Sequence, residues 1–395
     1  MEKGKVFLKP GREKSVIRGH PWLFSGAIAR AEGSMADGET VKVLDAEGHF
    51  LAWGDFNSLS QIAVRLISWE EEKALDRRFW QERMEKALAR RSHLAENTST
   101  TAYRLVNAES DLLPGLIVDR YGDWLTIQFL TAGMERRKEE ILDILEESCS
   151  PRGIYERDDV DVREKEGLPL RAGRLRGEEP PDEVEIYENS LRFLVDIKEG
   201  QKTGFYLDQR ENRRRCAPYF RGAEVLNGFA YTGAFGVYAA AAGAQRVVNV
   251  DSSAGALALA RRNLAPFPEC ESEYLEGDMF QVLRRYLDEG RSFDCIILDP
   301  PKFAYSQANV PSACRGYKDI NRLALSLLRP GGTLITFSCS GLVSAELFQK
   351  VVFAASVDAN RPAQILERLS QSPDHPVLLS FPEGEYLKGL ICRVL

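Results

Sequence analysis

Short runs of β-prone apolar residues fill the first 69 positions of the chain. The runs are VFLK, TVKVLDA, FLAWGDF and IAVRLIS, and glycine-rich turns such as KPGRE and AEGSMADGE separate them. Apolar runs of this length between turn residues are typical of β-strands. Residues 1–70 are therefore predicted to form a small β-rich domain.

The hydrophobic pattern changes to a helical period near residue 70. Leu75, Phe79, Met84 and Leu88 fall on one face of a helix predicted between Glu70 and Leu94, which indicates a core-facing stripe rather than a cofactor site. Residues 71–190 also contain strand candidates (GLIVDRY, WLTIQFL), a helix candidate (RRKEEILDILEES) and a strand pair around EIYENSLRFLVD. They predict an α+β middle domain. Within it, the Gly/Arg-rich segment REKEGLPLRAGRLRG is predicted to be a mobile exposed loop, with a second RNA contact as the weaker alternative.

Strands and helices alternate from about residue 222 onward. AEVLN, QRVVNVD, CIILD and TLITFS predict strands, and LALARRNL and INRLALSLL predict helices. This alternation predicts a parallel sheet with helices on both faces, that is, a Rossmann-like α/β domain over residues 191–395. The last two runs, AQILERLS and YLKGLICRVL, predict an edge hairpin.

The loop after the first of these strands restricts which class of cofactor the domain can bind. Glycines at 228, 233 and 236 give GxxxxGxxG, which differs from the GxGxxG of nicotinamide enzymes, and no Lys-Ser/Thr follows as in a P-loop. In an open α/β sheet the ligand lies at the carboxyl ends of the strands. Asp251 would suit the two hydroxyls of a ribose there, and Asp278 would suit an adenine amino group.

A glycine loop followed by Asp, Asp and LDPP at successive strand ends predicts an S-adenosyl-L-methionine site rather than ordinary turns. The predicted cofactor-binding residues of these strand ends are Asn227, Gly228, Phe229, Tyr231, Thr232, Gly233, Asp251, Ser252, Asp278, Met279 and Asp299.

Cys339 stands between two hydroxyls in FSCSG, where the strand TLITFS is predicted to end. Adjacent strands lie about 4.8 Å apart, so Cys339 and Asp299 would face one crevice with the cofactor. A thiolate that adds to C6 of cytosine makes C5 nucleophilic, while a protonated Asp299 at N3 offsets the developing charge. Lys302 and a helix predicted to begin near Ser344 are candidates to lower the pKa of this thiol. The alternative is a small buried apolar residue.

The other six cysteines are predicted to be structural or remote. Cys314, in a loop predicted to precede a helix, is the rival nucleophile. Neither CxxC pairs nor a histidine cluster accompany the seven cysteines, so no metal site and no disulfide framework is expected. No apolar run is long enough to cross a bilayer, and the chain is expected to be cytoplasmic with reduced thiols.

The charged residues are distributed unevenly along the chain. The net charge is -7, which argues against binding nucleic acid over the whole surface, and a length of 395 residues predicts two or three domains. The first 30 residues nevertheless have a net charge of 7 - 2 = +5, from seven basic residues (Lys3, Lys5, Lys9, Arg12, Lys14, Arg18, Arg30) against Glu2 and Glu13. A solvated face and a phosphate-binding site explain this excess equally well.

Six segments together give the chain a family resemblance. They are HPWLFSGAI (20–28), GQKTGFYLDQR (200–210), LNGFAYTGAFGVYA (226–239), LDPPKFA (298–304), CRGYKDIN (314–321) and FSCSG (337–341). The chain resembles the bacterial 5-methylcytosine methyltransferases of large-subunit ribosomal RNA, and among them most closely those acting on cytosine 1962 of 23S ribosomal RNA.

The resemblance implies an N-terminal PUA RNA-binding domain, a middle domain and a class I S-adenosylmethionine-dependent methyltransferase domain. It implies that Cys339 attacks the base, that Lys9, Arg12 and Arg18 contact RNA phosphates, and that four more residues help to close the cofactor pocket: Gln201, Lys202, Thr203 and Asp208. The wider family often has a second cysteine after the proline of the LDPP-like motif, whereas this chain has Pro301 and Lys302. Lys302 or water would therefore remove the C5 proton.

Two other functions stay open. DPP followed by an aromatic is typical of enzymes that methylate amino groups, although Lys302 moves Phe303 one position late, so methylation at adenine N6 or guanine N7 is one alternative. A non-catalytic RNA-binding assembly protein is the other, and the retained polar residues at the strand ends argue against it. A homodimer is an open option for the assembly.

Overall fold

The computed structural model describes residues 4–395, so Glu2 and Lys3 of the basic segment lie outside the described residues. The chain divides into two compact units. Unit 1 comprises the chain up to Tyr187 together with Asp196–Leu207 and Pro373–Gly384. Unit 2 comprises Glu188–Val195, Asp208–Ser372 and Glu385–Leu395. The chain therefore passes from one unit to the other five times.

The first sheet of unit 1 has six strands, and a short helix lies between the first two along the chain. In chain order the elements are β1 (Lys5–Leu8), α1 (Lys14–Ile17), β2 (Trp22–Phe24), β3 (Ile28–Glu32), β4 (Thr40–Leu44), β5 (Phe50–Phe56) and β6 (Ile62–Ser68). Their order is β2-β6-β5-β4-β1-β3, and neighbours are antiparallel except β1 and β4. Val6, Val41, Val43 and Val64 are fully buried in its core. The four strand runs expected from the apolar pattern are confirmed.

The second sheet of unit 1 has five strands in the order β11-β10-β9-β8-β7. Its elements are α2 (Arg77–Ala89), α3 (Ser92–Ala95), β7 (Ala102–Asn107), β8 (Leu116–Tyr121), β9 (Trp124–Phe129), α4 (Ala132–Arg136), α5 (Lys138–Cys149), β10 (Gly153–Asp158), α6 (Val162–Lys165) and β11 (Arg171–Gly177). Helix α2 begins later than expected because Asp76 caps it, accepting from the Phe79 N–H. Phe79 and Met84 are buried, as the helical stripe predicted.

Residues 163–177 are mostly exposed, as predicted, but the prediction that they form a loop is wrong. The segment forms helix α6 and strand β11, and β11 pairs antiparallel with β10. Arg163 is fully buried, and its Nη1 lies 2.5 Å from Asp158 and 2.9 Å from Glu135. Arginine-rich composition suggested solvent exposure, but two carboxylates, one five residues away and one 28 residues away, allow this guanidinium to be buried.

The segment Pro373–Gly384 joins unit 1 although it lies between two strands of unit 2 in the sequence. Arg91 Nη2 donates to the Asp374 carbonyl at 2.9 Å, and Asn107 Nδ2 donates to the Pro376 carbonyl at 3.0 Å. The rings of Trp22 and Phe381 meet edge to face at 4.7 Å. Both sheets of unit 1 thus contact this returning segment.

The remaining elements begin with β12, in which the boundary between the units falls. They are β12 (Val184–Glu188), β13 (Leu191–Val195), α7 (Arg210–Cys216), β14 (Glu224–Gly228), α8 (Ala234–Ala241), β15 (Arg246–Asp251), α9 (Ala254–Leu264), β16 (Glu271–Glu276), α10 (Met279–Asp288), β17 (Phe293–Leu298), α11 (Val310–Leu327), β18 (Leu328–Ser338), α12 (Ala345–Asp358), β19 (Ala363–Ser370) and β20 (Lys388–Val394).

Unit 2 is built on a seven-stranded sheet in the order β16-β15-β14-β17-β18-β20-β19. The first five strands in this order are parallel, which confirms the Rossmann-like α/β prediction. Strand β20 is antiparallel to both β18 and β19. The expected C-terminal hairpin exists, but only β19 lies at the edge, because β20 is inserted beside β18.

The division into three domains at residues 70 and 190 stays a prediction, since the first two sheets belong to one compact unit. Within residues 4–395, no helix combines the length and the apolar character that crossing a membrane requires.

Candidate active site

Four neighbouring parallel strands of unit 2 end at the same edge of the sheet. Strand β14 pairs with β15 on one side and with β17 on the other, and β18 follows β17. The strand order therefore reverses next to β14, which is where ligands bind in open α/β sheets. Asp251 and Asp299 lie at the ends of β15 and β17, and Cys339 follows β18 directly. All three residues therefore stand at the same edge of the sheet.

The loop after β14 has an unusual backbone. Phe229 and Tyr231 have φ angles of 58° and 47°, although neither is glycine. Left-handed conformations of such residues cost about 1–3 kcal/mol each and persist where the surroundings hold them. Gly233 has φ 78°, and a Cβ there would lie 2.8 Å from the Ala260 Cβ. The loop is thus held in one tightly turned conformation.

Asp251 holds this loop to the second strand. Its Oδ2 accepts from the Tyr231 N–H at 2.8 Å, and its Oδ1 accepts from the Ser253 N–H at 2.9 Å. The carboxylate is half-buried and Ser252 beside it is exposed. Each carboxylate oxygen can accept further bonds, so a pre-oriented acceptor for a diol remains.

Asp278 and Met279 begin helix α10. Asp278 is exposed and caps the helix, because its Oδ1 accepts from the Gln281 N–H at 3.0 Å. Met279 is buried against the glycine loop, and a Cβ on Gly228 would lie 2.8 Å from its Cε. A small residue at 228 is favoured here, because an added Cβ would also lie 3.2 Å from the Ile297 carbonyl oxygen.

Two further predicted cofactor residues are buried: Asn227 in strand β14, and Thr232 within the loop that follows it. Asn227 Nδ2 donates to Asn249 Oδ1 at 2.9 Å, which ties β14 to β15. The Thr232 carbonyl accepts from Asn263 Nδ2 at 3.0 Å. The hydrogen bonds of both residues hold the loop to neighbouring elements of unit 2.

The Asp299 carboxyl group is oriented by two residues that the sequence analysis missed. Gln209 Nε2 donates to Asp299 Oδ2 at 3.0 Å, and Gln209 Oε1 accepts from Asn212 Nδ2 at 2.6 Å. Both amides lie at the beginning of α7 and are buried. Gln209 belongs to the GQKTGFYLDQR segment, and only the fold brings it to a residue 90 positions later.

The serines on either side of Cys339 explain the sequence FSCSG. Ser338 Oγ donates to the Tyr317 hydroxyl at 3.0 Å, and that hydroxyl is hydrogen-bonded to Ser340 Oγ, also at 3.0 Å. Ser340 Oγ accepts in turn from the N–H groups of Phe303 and Ala304 at 3.2 and 3.3 Å. The two hydroxyls therefore fasten the end of β18 to the loop that follows LDPP.

Cys339 lies at the centre of this network. It is half-buried between two serines that are fully buried, and its Sγ lies 3.8 Å from the Pro300 carbonyl oxygen. The ring of Phe303 packs on Tyr317 at 4.6 Å, which stiffens the same loop. The Cys339 side chain is thus held on a rigid support next to Pro300, the residue after Asp299.

The rival cysteine lies elsewhere. Cys314 was expected in a loop before a helix, but it lies inside helix α11. It is half-buried, and burial raises the pKa of its thiol. The helix begins earlier than expected because Pro311 occupies its first turn, where the missing N–H is no cost.

Two lysines flank the network differently. Lys302 is exposed, with its Nζ 5.5 Å from the centre of the Tyr305 ring. Lys388, which the sequence analysis did not single out, is only 6% exposed, and burial lowers its pKa to about 8. Its one sequence signal is a charged residue within the apolar run YLKGLICRVL. Ser344 caps helix α12, as predicted.

The four residues expected to close the cofactor pocket are divided between the units. Gln201, Lys202 and Thr203 belong to unit 1, where Thr203 Oγ1 donates to Asp119 Oδ2 at 2.6 Å. Asp208 belongs to unit 2, and its Oδ2 accepts from the Tyr386 hydroxyl at 2.7 Å.

The basic residues expected to contact RNA are exposed on unit 1. Lys9, Arg12 and Arg18 all face solvent, and Lys9 Nζ donates to the Gly26 carbonyl at 2.9 Å. Two acidic clusters in unit 1 bring ligand atoms within 4.8 Å of one another: Asp45, Glu47 and His49, and Glu135, Glu156 and Asp158. The second cluster is paired with Lys138 and Arg163, which accounts for its charge.

Comparison with known proteins identifies the family. Residues 162–390 match the family of S-adenosylmethionine-dependent methyltransferases, and residues 6–69 match the PUA-like domain. Ribosomal RNA large subunit methyltransferase I of Shewanella amazonensis is 51% identical over 392 residues, and that of Aliivibrio fischeri is 48% identical, each alignment covering 99% of both chains. The chain belongs to the ribosomal RNA large subunit methyltransferase I family. As a member of that family it is an S-adenosylmethionine-dependent methyltransferase.

Solved structures agree in fold. A proposed SAM-dependent methyltransferase from Streptococcus mutans superposes with a TM-score of 0.84 at 24% identity, covering 99% of this chain and 100% of the other. A second proposed methyltransferase, solved with SAH, gives a TM-score of 0.86 at the same identity and coverage. The methyltransferase I family and these proteins therefore share one architecture over the full length.

Proposed function

We propose that this methyltransferase transfers a methyl group to C5 of a cytosine in 23S ribosomal RNA, and that cytosine 1962 is the target. The choice of large-subunit ribosomal RNA as the substrate rests on the name of the relatives. The observation that carries the choice of C5 is the half-buried Cys339 thiol, held beside LDPP by the Ser338–Tyr317–Ser340 network. Methylation of an exocyclic amine or of guanine N7 needs no such thiol.

In the proposed reaction the Cys339 thiolate adds to C6 of the cytosine. The addition breaks the C5–C6 π bond and leaves an enamine in which C5 is nucleophilic. Asp299, oriented by Gln209, donates a proton to N3 and so offsets the developing negative charge. S-adenosylmethionine, when bound, supplies an electrophilic methyl group to that carbon. N3 returns its proton to Asp299 once the methyl group is transferred. A base then removes the C5 proton, the C5–C6 double bond forms again, and the Cys339 sulfur leaves as a thiolate. Lys302 is exposed on the adjoining loop and is one candidate for this base, with water as the alternative.

The residues at the strand ends fit this cofactor. Asp251 is already oriented by two backbone N–H groups and would bind the ribose hydroxyls, and Asp278 would bind the adenine amino group. The strained loop over 229–231 leaves its backbone in place for the rest of the ligand. Gln201, Lys202, Thr203 and Asp208 stay proposals as residues that close the pocket.

The PUA-like region supplies a basic surface for the RNA. Lys9, Arg12 and Arg18 are exposed there and would neutralise phosphates without reading the base sequence. An enzyme that acts on ribosomal RNA would work in the cytoplasm.

The test compares Cys339→Ala with Cys314→Ala, a matched control in the same unit. Each protein is incubated with S-adenosylmethionine and unmodified large-subunit ribosomal RNA, and the digested RNA is analysed by mass spectrometry. Wild type and Cys314→Ala should yield 5-methylcytidine, and Cys339→Ala should yield none while binding S-adenosylmethionine normally in calorimetry. Full 5-methylcytidine formation by Cys339→Ala would overturn the proposal, as would a different methylated nucleoside from wild type.

A further inference from the structure

Lys388 closes the turn that follows Cys339. It begins strand β20 and stands opposite Ser338 in the antiparallel register with β18. Its Nζ donates to the carbonyl oxygens of Ser340 and Val343 at 2.8 and 2.7 Å. Both acceptors belong to residues 340–343, so one buried side chain fixes the backbone directly after the cysteine.

A buried ammonium group is costly unless its charge is compensated. The two carbonyl groups supply dipoles but no countercharge. The ionisable groups that act on Lys388 are Cys339, directly after the neighbouring strand β18, and Glu385, three residues before Lys388, and a negative charge on either would raise the pKa of Lys388. Tyr317, which also interacts with Cys339, is kept neutral because burial raises its pKa.

We propose that Lys388 is a positioning residue for Cys339: its ammonium group holds the 340–343 turn and balances the negative charge of the Cys339 thiolate. The inference rests on the proposed function, in which Cys339 is the nucleophile. In this step the thiol releases its proton to solvent, and Lys388 keeps its own protons.

Lys388 suits this role better than Lys302, which the sequence suggested as the positive charge near the thiol. Lys302 is exposed, so water and salt screen its field at the thiol. Lys388 is buried on the neighbouring strand, where the effective dielectric constant is lower and each charge acts more strongly. A thiolate and a buried ammonium group therefore stabilise one another.

The experiment measures the reactivity of the Cys339 thiol without any methylation. Full-length protein is treated briefly with iodoacetamide at a series of pH values, and peptide mass spectrometry quantifies the alkylation of Cys339. Cys314 serves as the internal control in every sample. Three variants are compared: Lys388→Met removes the charge, Lys388→Arg keeps it, and Lys350→Met makes the same charge change on an exposed helix position.

We expect the midpoint for Cys339 in wild type to lie below the ordinary thiol value of about 8.5. Lys388→Met should raise that midpoint by about one pH unit and slow alkylation near pH 7 about tenfold, because one unit changes the thiolate fraction tenfold. Lys388→Arg and Lys350→Met should keep the wild-type midpoint, and the Cys314 profile should not move in any protein.

An unchanged Cys339 midpoint in folded Lys388→Met would overturn the inference and leave Lys388 as a structural tie only. If Lys388→Met does not fold, the wild-type profile decides, since a midpoint at or above the ordinary value also overturns it. Failure of the proposed function looks different: Cys339→Ala would still make 5-methylcytidine while the alkylation profile depended on Lys388.

Discussion

Around Arg91 in unit 1 and around Cys339 in unit 2, the buried polar groups are organised in different ways. Unit 1 matches buried charges directly, in the pairs Arg91–Asp111, Arg104–Asp119 and Arg163–Asp158. The region around Cys339 uses the neutral hydroxyls of Ser338, Ser340 and Tyr317, and its buried ammonium group, Lys388, donates to carbonyl oxygens.

The difference separates a structural scaffold from the proposed reactive site. A closed ion pair with good geometry holds distant segments together, and its field is largely cancelled. A neutral network is rigid without cancelling the field of the ammonium group beside it. That field is then available for a charge that exists only transiently, such as a thiolate.

The largest effect is expected from breaking an ion pair of the scaffold. Arg91→Met leaves Asp111 buried, with exposed Arg90 as its remaining cation and the Asn107 N–H as a neutral donor, and should lower the free energy of unfolding of unit 1 by about 3 kcal/mol. All five tryptophans lie in unit 1, at positions 22, 53, 69, 80 and 124, so tryptophan fluorescence in a urea titration follows this unit alone. A loss below about 1 kcal/mol would mean that the pair is not a main support.

The buried ammonium group should make the stability of unit 2 depend on pH. Burial lowers the pKa of Lys388 to about 8, below its unfolded value of about 10.4, so between these pH values the unfolded chain binds more protons. The free energy of unfolding of wild type, relative to Lys388→Met, should therefore rise as the pH rises through this window, by on the order of 2 kcal/mol. Urea titrations followed by circular dichroism would measure the difference. A flat difference would show that Lys388 has an ordinary pKa.

Removing one hydroxyl from the neutral network should have a smaller effect on stability. Tyr317→Phe takes away the group that links Ser338 to Ser340, and we expect a loss of about 1–2 kcal/mol. Because the loop carrying Phe303 and Ala304 is then less firmly held, kcat should fall more than the affinity for S-adenosylmethionine. The exposed Tyr305 offers the matched control Tyr305→Phe, which should change stability by less than about 0.5 kcal/mol. Equal stability losses in the two variants would contradict the role of the network.

The smallest effect is expected on the surface of unit 2. The exposed pair Lys350–Glu346 on α12 should contribute less than about 0.5 kcal/mol, so Lys350→Met should unfold almost as wild type does. A loss comparable to that of Arg91→Met would remove the distinction between buried and exposed charges on which the comparison rests.

Local patterns in the sequence were sufficient to locate most of the strands of the parallel sheet and, with the usual order of such folds, one pair of neighbours. CIILD and TLITFS each read as an apolar strand followed by polar residues, and they are neighbours in the sheet with Asp299 and Cys339 at their ends. The glycine loop and Asp251 were found in the same way. Local signals are reliable here because a parallel α/β sheet repeats one unit.

Contacts between distant residues could not be predicted in this way. Gln209 reaches Asp299 across 90 residues, and Lys388 reaches Ser340 across 48, so neither leaves a periodic signal. The burial of Arg163 was missed for a related reason, because its partners lie in two other elements, Glu135 in helix α4 and Asp158 at the end of strand β10. The insertion of β20 beside β18 likewise depends on pairing that no local pattern encodes.

The segment Pro373–Gly384, which returns to unit 1 from within the C-terminal hairpin, has a consequence for how this gene can be cut or recombined. A fragment beginning near residue 191 would carry Asp374, Pro376 and Phe381 without Arg91, Asn107 and Trp22, their partners. Exchange of the N-terminal half with a distant relative would mismatch the same contacts. The two halves of the gene are therefore expected to be inherited together, and single substitutions are the safer way to probe either one.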